Sequence, residues 1–126
     1  MIVVDASAAI LGLLDDGDAR RQLATEELHA PHLIDSEVTH VLRRQELQGR
    51  IGAGDARRAL DTWRRLGLTR YGAAGLTLRM WALRPNLSAY DATYVALAEA
   101  LDCPLLTADR RLAGAPGIRC RVTIVR

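Results

Sequence analysis

Ile2-Val3-Val4-Asp5-Ala6-Ser7-Ala8-Ala9-Ile10-Leu11-Gly12-Leu13-Leu14 decides how this chain is read. Three branched apolar residues stop at an aspartate, the pattern of a short strand buried on both faces of a parallel sheet, with its carboxyl end at Asp5. Ala6 to Leu14 then reads as a helix, closed by the acidic turn Asp15-Asp16-Gly17-Asp18. The alternation continues outward. Further strands are expected over residues 28–33, 68–71, 104–107 and 122–125, and further helices over residues 19–27, 37–48, 55–66 and 73–83. Asp35-Ser36, Asp55 and the pair Ser88 with Asp91 read as helix N-termini, and Gly49 and Pro85 as stops. Strands alternating with helices imply a three-layer α/β/α sandwich around a short parallel sheet. One domain is expected over residues 1–126.

Size and composition narrow the function. A chain of 126 residues, 49% of them hydrophobic, buries about two-thirds of its unfolded surface around one core. No run approaches the roughly 20 apolar residues of a membrane span, and Met1 leads straight into the first strand, so a cytoplasmic protein without a membrane partner is expected. Cys103 and Cys120 lack metal-type spacing and read as reduced, packed thiols. All seventeen basic residues are arginine. With no lysine, the P-loop cradle and Schiff-base chemistry are excluded.

Four carboxylates, Asp5, Glu37, Asp91 and Asp109, fall where an apolar run meets a turn or a helix start. Asp5 and Asp109 end strands, and Glu37 and Asp91 open helices, so all four are expected at the crevice beyond the strand carboxyl ends. Gathered there, they repel one another unless protons or a cation offset the charge. An all-oxygen donor set suits Mg²⁺, with Mn²⁺ as a substitute, and such a site serves phosphodiester hydrolysis. Asp5 and Asp91 are then the central ligands, Glu37 and Asp109 complete the site or orient water, and the Ser7 and Thr107 hydroxyls hold carboxylates or water from behind. Setting the four carboxylates aside leaves eleven acidic residues against seventeen arginines, a surplus of six. Arg43-Arg44 and Arg110-Arg111 are the candidates for an RNA backbone.

The stretches Val3-Val4-Asp5-Ala6-Ser7-Ala8, Ser36-Glu37-Val38 with Val41-Leu42-Arg43-Arg44, Tyr90-Asp91-Ala92 with Tyr94-Val95-Ala96-Leu97-Ala98, and Leu106-Thr107-Ala108-Asp109-Arg110-Arg111-Leu112 resemble the four acidic motifs of PIN domains. The likeness is greatest to the VapC-type toxins of bacterial toxin–antitoxin pairs and extends over essentially the whole chain. The resemblance implies a magnesium-dependent endoribonuclease, usually a homodimer, silenced by a cognate VapB-type antitoxin whose tail fills the crevice. By the same resemblance Asp5, Glu37, Asp91 and Asp109 are the acidic quartet. The second motif departs in carrying Thr39-His40 where an Asn often precedes the Val-Leu pair, and Asp35 is an added carboxylate, expected to be a helix cap.

Other readings fall to missing residues. A phosphoacceptor receiver needs a lysine, a haloacid-dehalogenase-type enzyme needs an aspartate where Ser7 stands, and no Gly-x-Gly-x-x-Gly follows the first strand. A housekeeping RNA-processing nuclease and an inactive PIN-like binding module remain as alternatives. His29, His32 and His40 lack cysteine partners and zinc-type spacing, so packing or surface roles are expected. Trp63 and Trp81 are expected in the core or at a dimer contact. Tyr90 and Tyr94, one turn apart around Asp91, are expected to pack, with RNA contact as the alternative.

Overall fold

The computed structural model describes residues 1–126. Strand β1 (Ile2–Val4) leads into α1 (Ala6–Leu14) and α2 (Asp18–Thr25), then β2 (Leu28–Pro31), α3 (Leu33–Leu47), α4 (Ala53–Arg65) and β3 (Leu68–Tyr71). A 3-10 turn (Ala74–Leu76), α5 (Thr77–Ala82), α6 (Ala89–Leu101), β4 (Leu105–Thr107), α7 (Arg110–Ala113) and β5 (Val122–Ile124) complete the chain. The five strands form one parallel sheet in the order β3-β2-β1-β4-β5. No helix is long and apolar enough to cross a membrane.

Burial explains the sheet order. Ile2, Val3 and Val4 of β1 and Leu105, Leu106 and Thr107 of β4 are buried throughout, whereas β3 and β5 at the edges alternate between half-buried and exposed. Central strands of a parallel sheet are covered on both faces and need continuous apolar runs. Helices α1 to α4 pack among themselves, and α6 packs against β1, β2 and β4 beneath α5. Seven consecutive residues of α6, Ala92 to Ala98, are buried, so the middle of this helix has no solvent stripe and only its ends are exposed. At Gly12 a Cβ would sit 2.4 Å from Leu23 Cδ1, and that close approach brings α1 onto α2. Gly49 ends α3 at φ +72, the left-handed conformation that suits glycine after a helix.

Several local expectations change. Helix α3 starts at Leu33, four residues before the expected start, so Glu37 lies one turn inside it. Asp35 is therefore no cap. Its carboxylate accepts two bonds from the Arg70 guanidinium at 2.6 and 2.9 Å and one from Trp63 Nε1 at 2.9 Å, tying α3 to α4 and β3. Asp55 likewise sits within the first turn of α4, where Gly52 holds the cap position, and pairs with Arg58. The expected helix over 73–83 splits into a 3-10 turn and the short α5. Trp63 is 2% exposed and belongs to the monomer's own core, which removes it as a dimer contact. Trp81 is 66% exposed with the Arg84 guanidinium 4.4 Å over its ring, so it is not a core residue.

Candidate active site

The chain leaves β1 toward β2 on one side of the sheet and crosses later to β4 on the other, which opens a crevice at the carboxyl ends of β1 and β4. Asp5 stands in that gap. It ends β1 and caps α1, its carboxylate accepting the Ala8 N–H at 2.9 Å because an N-terminal helix amide has no partner within the helix. The same Oδ1 accepts the Ser7 hydroxyl at 2.6 Å, and Oδ2 accepts the Thr107 hydroxyl at 2.5 Å. Both hydroxyl protons are thereby spent on Asp5. The hydroxyl oxygens accept in turn, Ser7 Oγ from Ala108 N–H at 2.9 Å and Thr107 Oγ1 from Asp109 N–H at 3.0 Å. Backbone amides thus polarise two hydroxyls toward one carboxylate. Burial still pushes the Asp5 carboxyl above its usual range, opposed by these three donors and reinforced by the charge of Asp91.

Ser88 caps α6 by accepting the Asp91 N–H at 3.1 Å, and this fixes the turn that carries Asp91. The Asp91 carboxylate itself receives no protein hydrogen bond. Glu37 enters from α3, and its Oε1 accepts the Tyr94 hydroxyl at 2.5 Å. Burial raises the Glu37 carboxyl, Tyr94 opposes the rise, and the charges of Asp5 and Asp91 add to it. Burial and the Glu37 bond in turn push Tyr94 far above the ordinary phenol range, so it stays a proton donor. Asp109 is held differently. It caps α7 and takes a forked contact from the Arg111 guanidinium, at 3.1 and 3.2 Å from Nε and 2.7 Å from a terminal nitrogen, which holds its carboxyl below the usual range.

All four carboxylates line one cavity of about 380 Å³, together with Ser7, Tyr94, Arg44 and Gln45. Asp5, Glu37 and Asp91 feel one another's charge, while Asp109 at the rim is largely neutralised by Arg111. No three acidic, histidine or cysteine side chains close tightly around one point. Mg²⁺ and Mn²⁺ need no tighter cluster, because they take one or two direct carboxylates and fill the octahedron with water. Two buried or half-buried carboxylates with raised pKa and an unpaired third, a donor set made of carboxylate oxygens, fit such an ion.

Among the arginines singled out for RNA, only Arg44 lines the crevice; Arg111 is engaged by Asp109, and Arg43 and Arg110 are exposed away from it. Gln45 is a lining residue that sequence reasoning missed, and Tyr94, expected to pack, is buried and also donates to Glu37. Tyr94 had a legible signal in its spacing one turn beyond Asp91, but its bond reaches Glu37, 57 residues away. His29 is buried between Tyr71 and Glu27, far from any metal role. Both cysteines are free, and burial raises their thiols, Cys120 to about 11.

The PIN domain family model matches residues 2–118. The ribonuclease VapC9 of Mycobacterium tuberculosis is 59% identical over 125 residues, covering 99% of this chain and 98% of that protein. The chain therefore belongs to the PIN-domain family, among the VapC ribonucleases. Solved structures share the fold. VapC20 of Mycobacterium tuberculosis, a toxin that cleaves the sarcin–ricin loop, superposes with a TM-score of 0.65 at 22% identity, over 94% of this chain and 97% of that one. A chain of VapBC2 from Rickettsia felis, bound to a promoter DNA fragment, gives 0.71 at 13% identity over the full length of both.

Proposed function

We propose that this ribonuclease is the toxin of a VapB/VapC-type pair and hydrolyses RNA phosphodiester bonds at Asp5, Glu37, Asp91 and Asp109 with Mg²⁺, or Mn²⁺ in its place. The observation that carries the reading is Asp5: a buried carboxylate kept in its accepting form by three donors, with no cationic side chain touching it. Such a charge calls for a cation from outside the chain. The relationship to VapC9 supports the toxin assignment, and the likeness to a chain of the VapBC2 complex supports a cognate antitoxin as the partner. A homodimer acting in the cytoplasm, folded as one unit over residues 1–126, completes the reading.

When bound, the divalent ion supplies charge neutralisation and an activated water. Asp5 and Asp91 would hold it, Asp5 immobilised by Ser7 and Thr107 and Asp91 lining the crevice with no protein hydrogen bond to its carboxylate. Glu37 keeps Oε1 on Tyr94 and leaves Oε2 free to orient the attacking water and take its proton, a task its raised pKa suits. Asp109, locked by Arg111, sets the rim, and Arg44 offers a phosphate its guanidinium beside the carboxylates.

The test is cleavage of total bacterial RNA with Mg²⁺, with Mn²⁺ and with chelator, beside Asp5→Asn. Discrete, metal-dependent fragments that the variant does not produce are expected. Cleavage that survives Asp5→Asn in a folded variant refutes the assignment of the site.

A further inference from the structure

Five aromatic residues stand in the chain, and four are engaged. Trp63 donates to Asp35, the Tyr94 hydroxyl donates to Glu37, the Tyr71 hydroxyl bonds His29 at 2.6 Å, and the exposed Trp81 carries the Arg84 guanidinium over its ring. Tyr90 alone has no partner. It sits on the first turn of α6 beside Asp91, and it is 63% exposed.

Its ring borders two cavities. One, of about 500 Å³, is lined also by Ser36, His40 and Arg44, and shares Glu37, Val41 and Arg44 with the acidic crevice. The other, of about 230 Å³, is an apolar slot formed with Leu33, Met80 and Thr93. The two cavities thus join along Glu37, Val41 and Arg44, so the carboxylates, the Arg44 side chain and Tyr90 line one connected groove, and Tyr90 also borders the apolar recess. Carboxylates, a cation and an open aromatic face in one groove suit a scissile phosphate, a neighbouring phosphate and an unstacked base. Proteins read single-stranded RNA with this combination of arginine and aromatic faces.

We propose that Tyr90 is the stacking platform for an unpaired nucleobase of the RNA adjoining the cleaved bond, with Arg44 receiving the phosphate between base and crevice. The proposal rests on the reading of the crevice as the site of RNA cleavage. A protein segment laid in the same groove is the competing occupant. The unoccupied aromatic face beside an arginine favours RNA, since every base offers a π-face to such a platform.

The experiment measures binding of fluorescein-labelled single-stranded oligo-A, oligo-U and oligo-C to the full chain with chelator present, so that nothing is cut. Tyr90→Ala is expected to weaken the best-bound RNA on the order of tenfold, and Tyr90→Phe or Tyr90→Trp to retain it. Arg44→Ala lowers the dependence of binding on salt, whereas Tyr90→Ala leaves that dependence unchanged, which separates phosphate contact from stacking. An abasic site walked along the best RNA costs the wild type as much at one position as Tyr90→Ala does, and costs the variant nothing more there. Wild-type binding by Tyr90→Ala, with no position-specific abasic effect, overturns the proposal and leaves the groove to a protein partner. Because binding is read without cleavage, a chain that binds through Tyr90 but cuts no RNA sustains the platform and refutes the nuclease site.

Discussion

Thr107→Val tests the logic of the site most directly. The threonine is fully buried, and valine matches its shape, so the substitution removes one hydroxyl and little else. That hydroxyl donates to Asp5 Oδ2 at 2.5 Å and accepts the Asp109 N–H at 3.0 Å. A hydrogen bond to a charged acceptor contributes about 1.5–3 kcal/mol, and the amide left without a partner adds about 1 kcal/mol more. The expected loss at neutral pH is about 2.5–4 kcal/mol, a fall in Tm on the order of 10 °C for a chain of this length. Thr107→Ser keeps the hydroxyl and removes one methyl, so it costs only about 1 kcal/mol. The dependence on pH has a definite sign. Burial already holds the Asp5 carboxyl above its unfolded value, so folding takes up a proton and the metal-free fold loses stability as pH rises from the unfolded to the folded pKa. Loss of the Thr107 donor raises the folded value further, so the variant loses more over a wider window. In acid, where Asp5 is protonated in both proteins, the gap narrows to about 2 kcal/mol, about 1 for a neutral hydrogen bond and about 1 for the Asp109 amide that stays unpaired at every pH. Urea unfolding in chelator between acidic and neutral pH reads the gap directly. A valine variant as stable as the serine variant at neutral pH, or a gap independent of pH, refutes the account of Asp5 as a charge held in place by hydroxyl donors.

Two other substitutions probe separate parts of the molecule. Tyr94→Phe removes the bond that opposes the upward shift of Glu37, so the acidic limb of the pH profile for RNA cleavage should move to higher pH, and an unmoved limb rules out Glu37 as the proton acceptor. Glu99, half-buried near the end of α6, accepts two bonds from Arg79 and the Arg119 N–H, and Arg79 also donates to the Gly117 carbonyl, which ties α5 and α6 to the segment before β5. Burial alone would raise the Glu99 carboxyl, but these donors hold it below its usual range. Its contribution is therefore present above the unfolded carboxyl pKa of about 4.3 and lost as pH falls through the lower folded value. Glu99→Gln should cost about 1–3 kcal/mol at neutral pH and much less in acid; an equal cost at both would place the loss in packing.

Local chemistry was legible because it depends on neighbours in sequence. The buried runs at β1 and β4 and the cap that Ser88 gives α6 follow from hydrophobic period and from unpaired helix amides, and each stands where its residues predict. The start of α3 was misread because Asp35-Ser36 carries a cap signal that the Arg70 and Trp63 contacts override. Asp35 gains a bidentate ion pair in that position, which outweighs one capping bond.

What the sequence by itself determined is the alternation of strands and helices, the four acidic motifs and the absence of lysine chemistry. Only the tertiary structure decided which groups complete each carboxylate: Thr107 for Asp5, 102 residues apart, Tyr94 for Glu37, 57 residues apart, and Arg111 rather than Arg110 for Asp109. The tertiary structure also left Tyr90 as the open aromatic face beside the crevice. The physical reason is range. Caps and periodicity act over three or four residues, whereas Thr107 and Tyr94 meet their carboxylates only after the sheet order β3-β2-β1-β4-β5 sets β1 beside β4 and α6 across both.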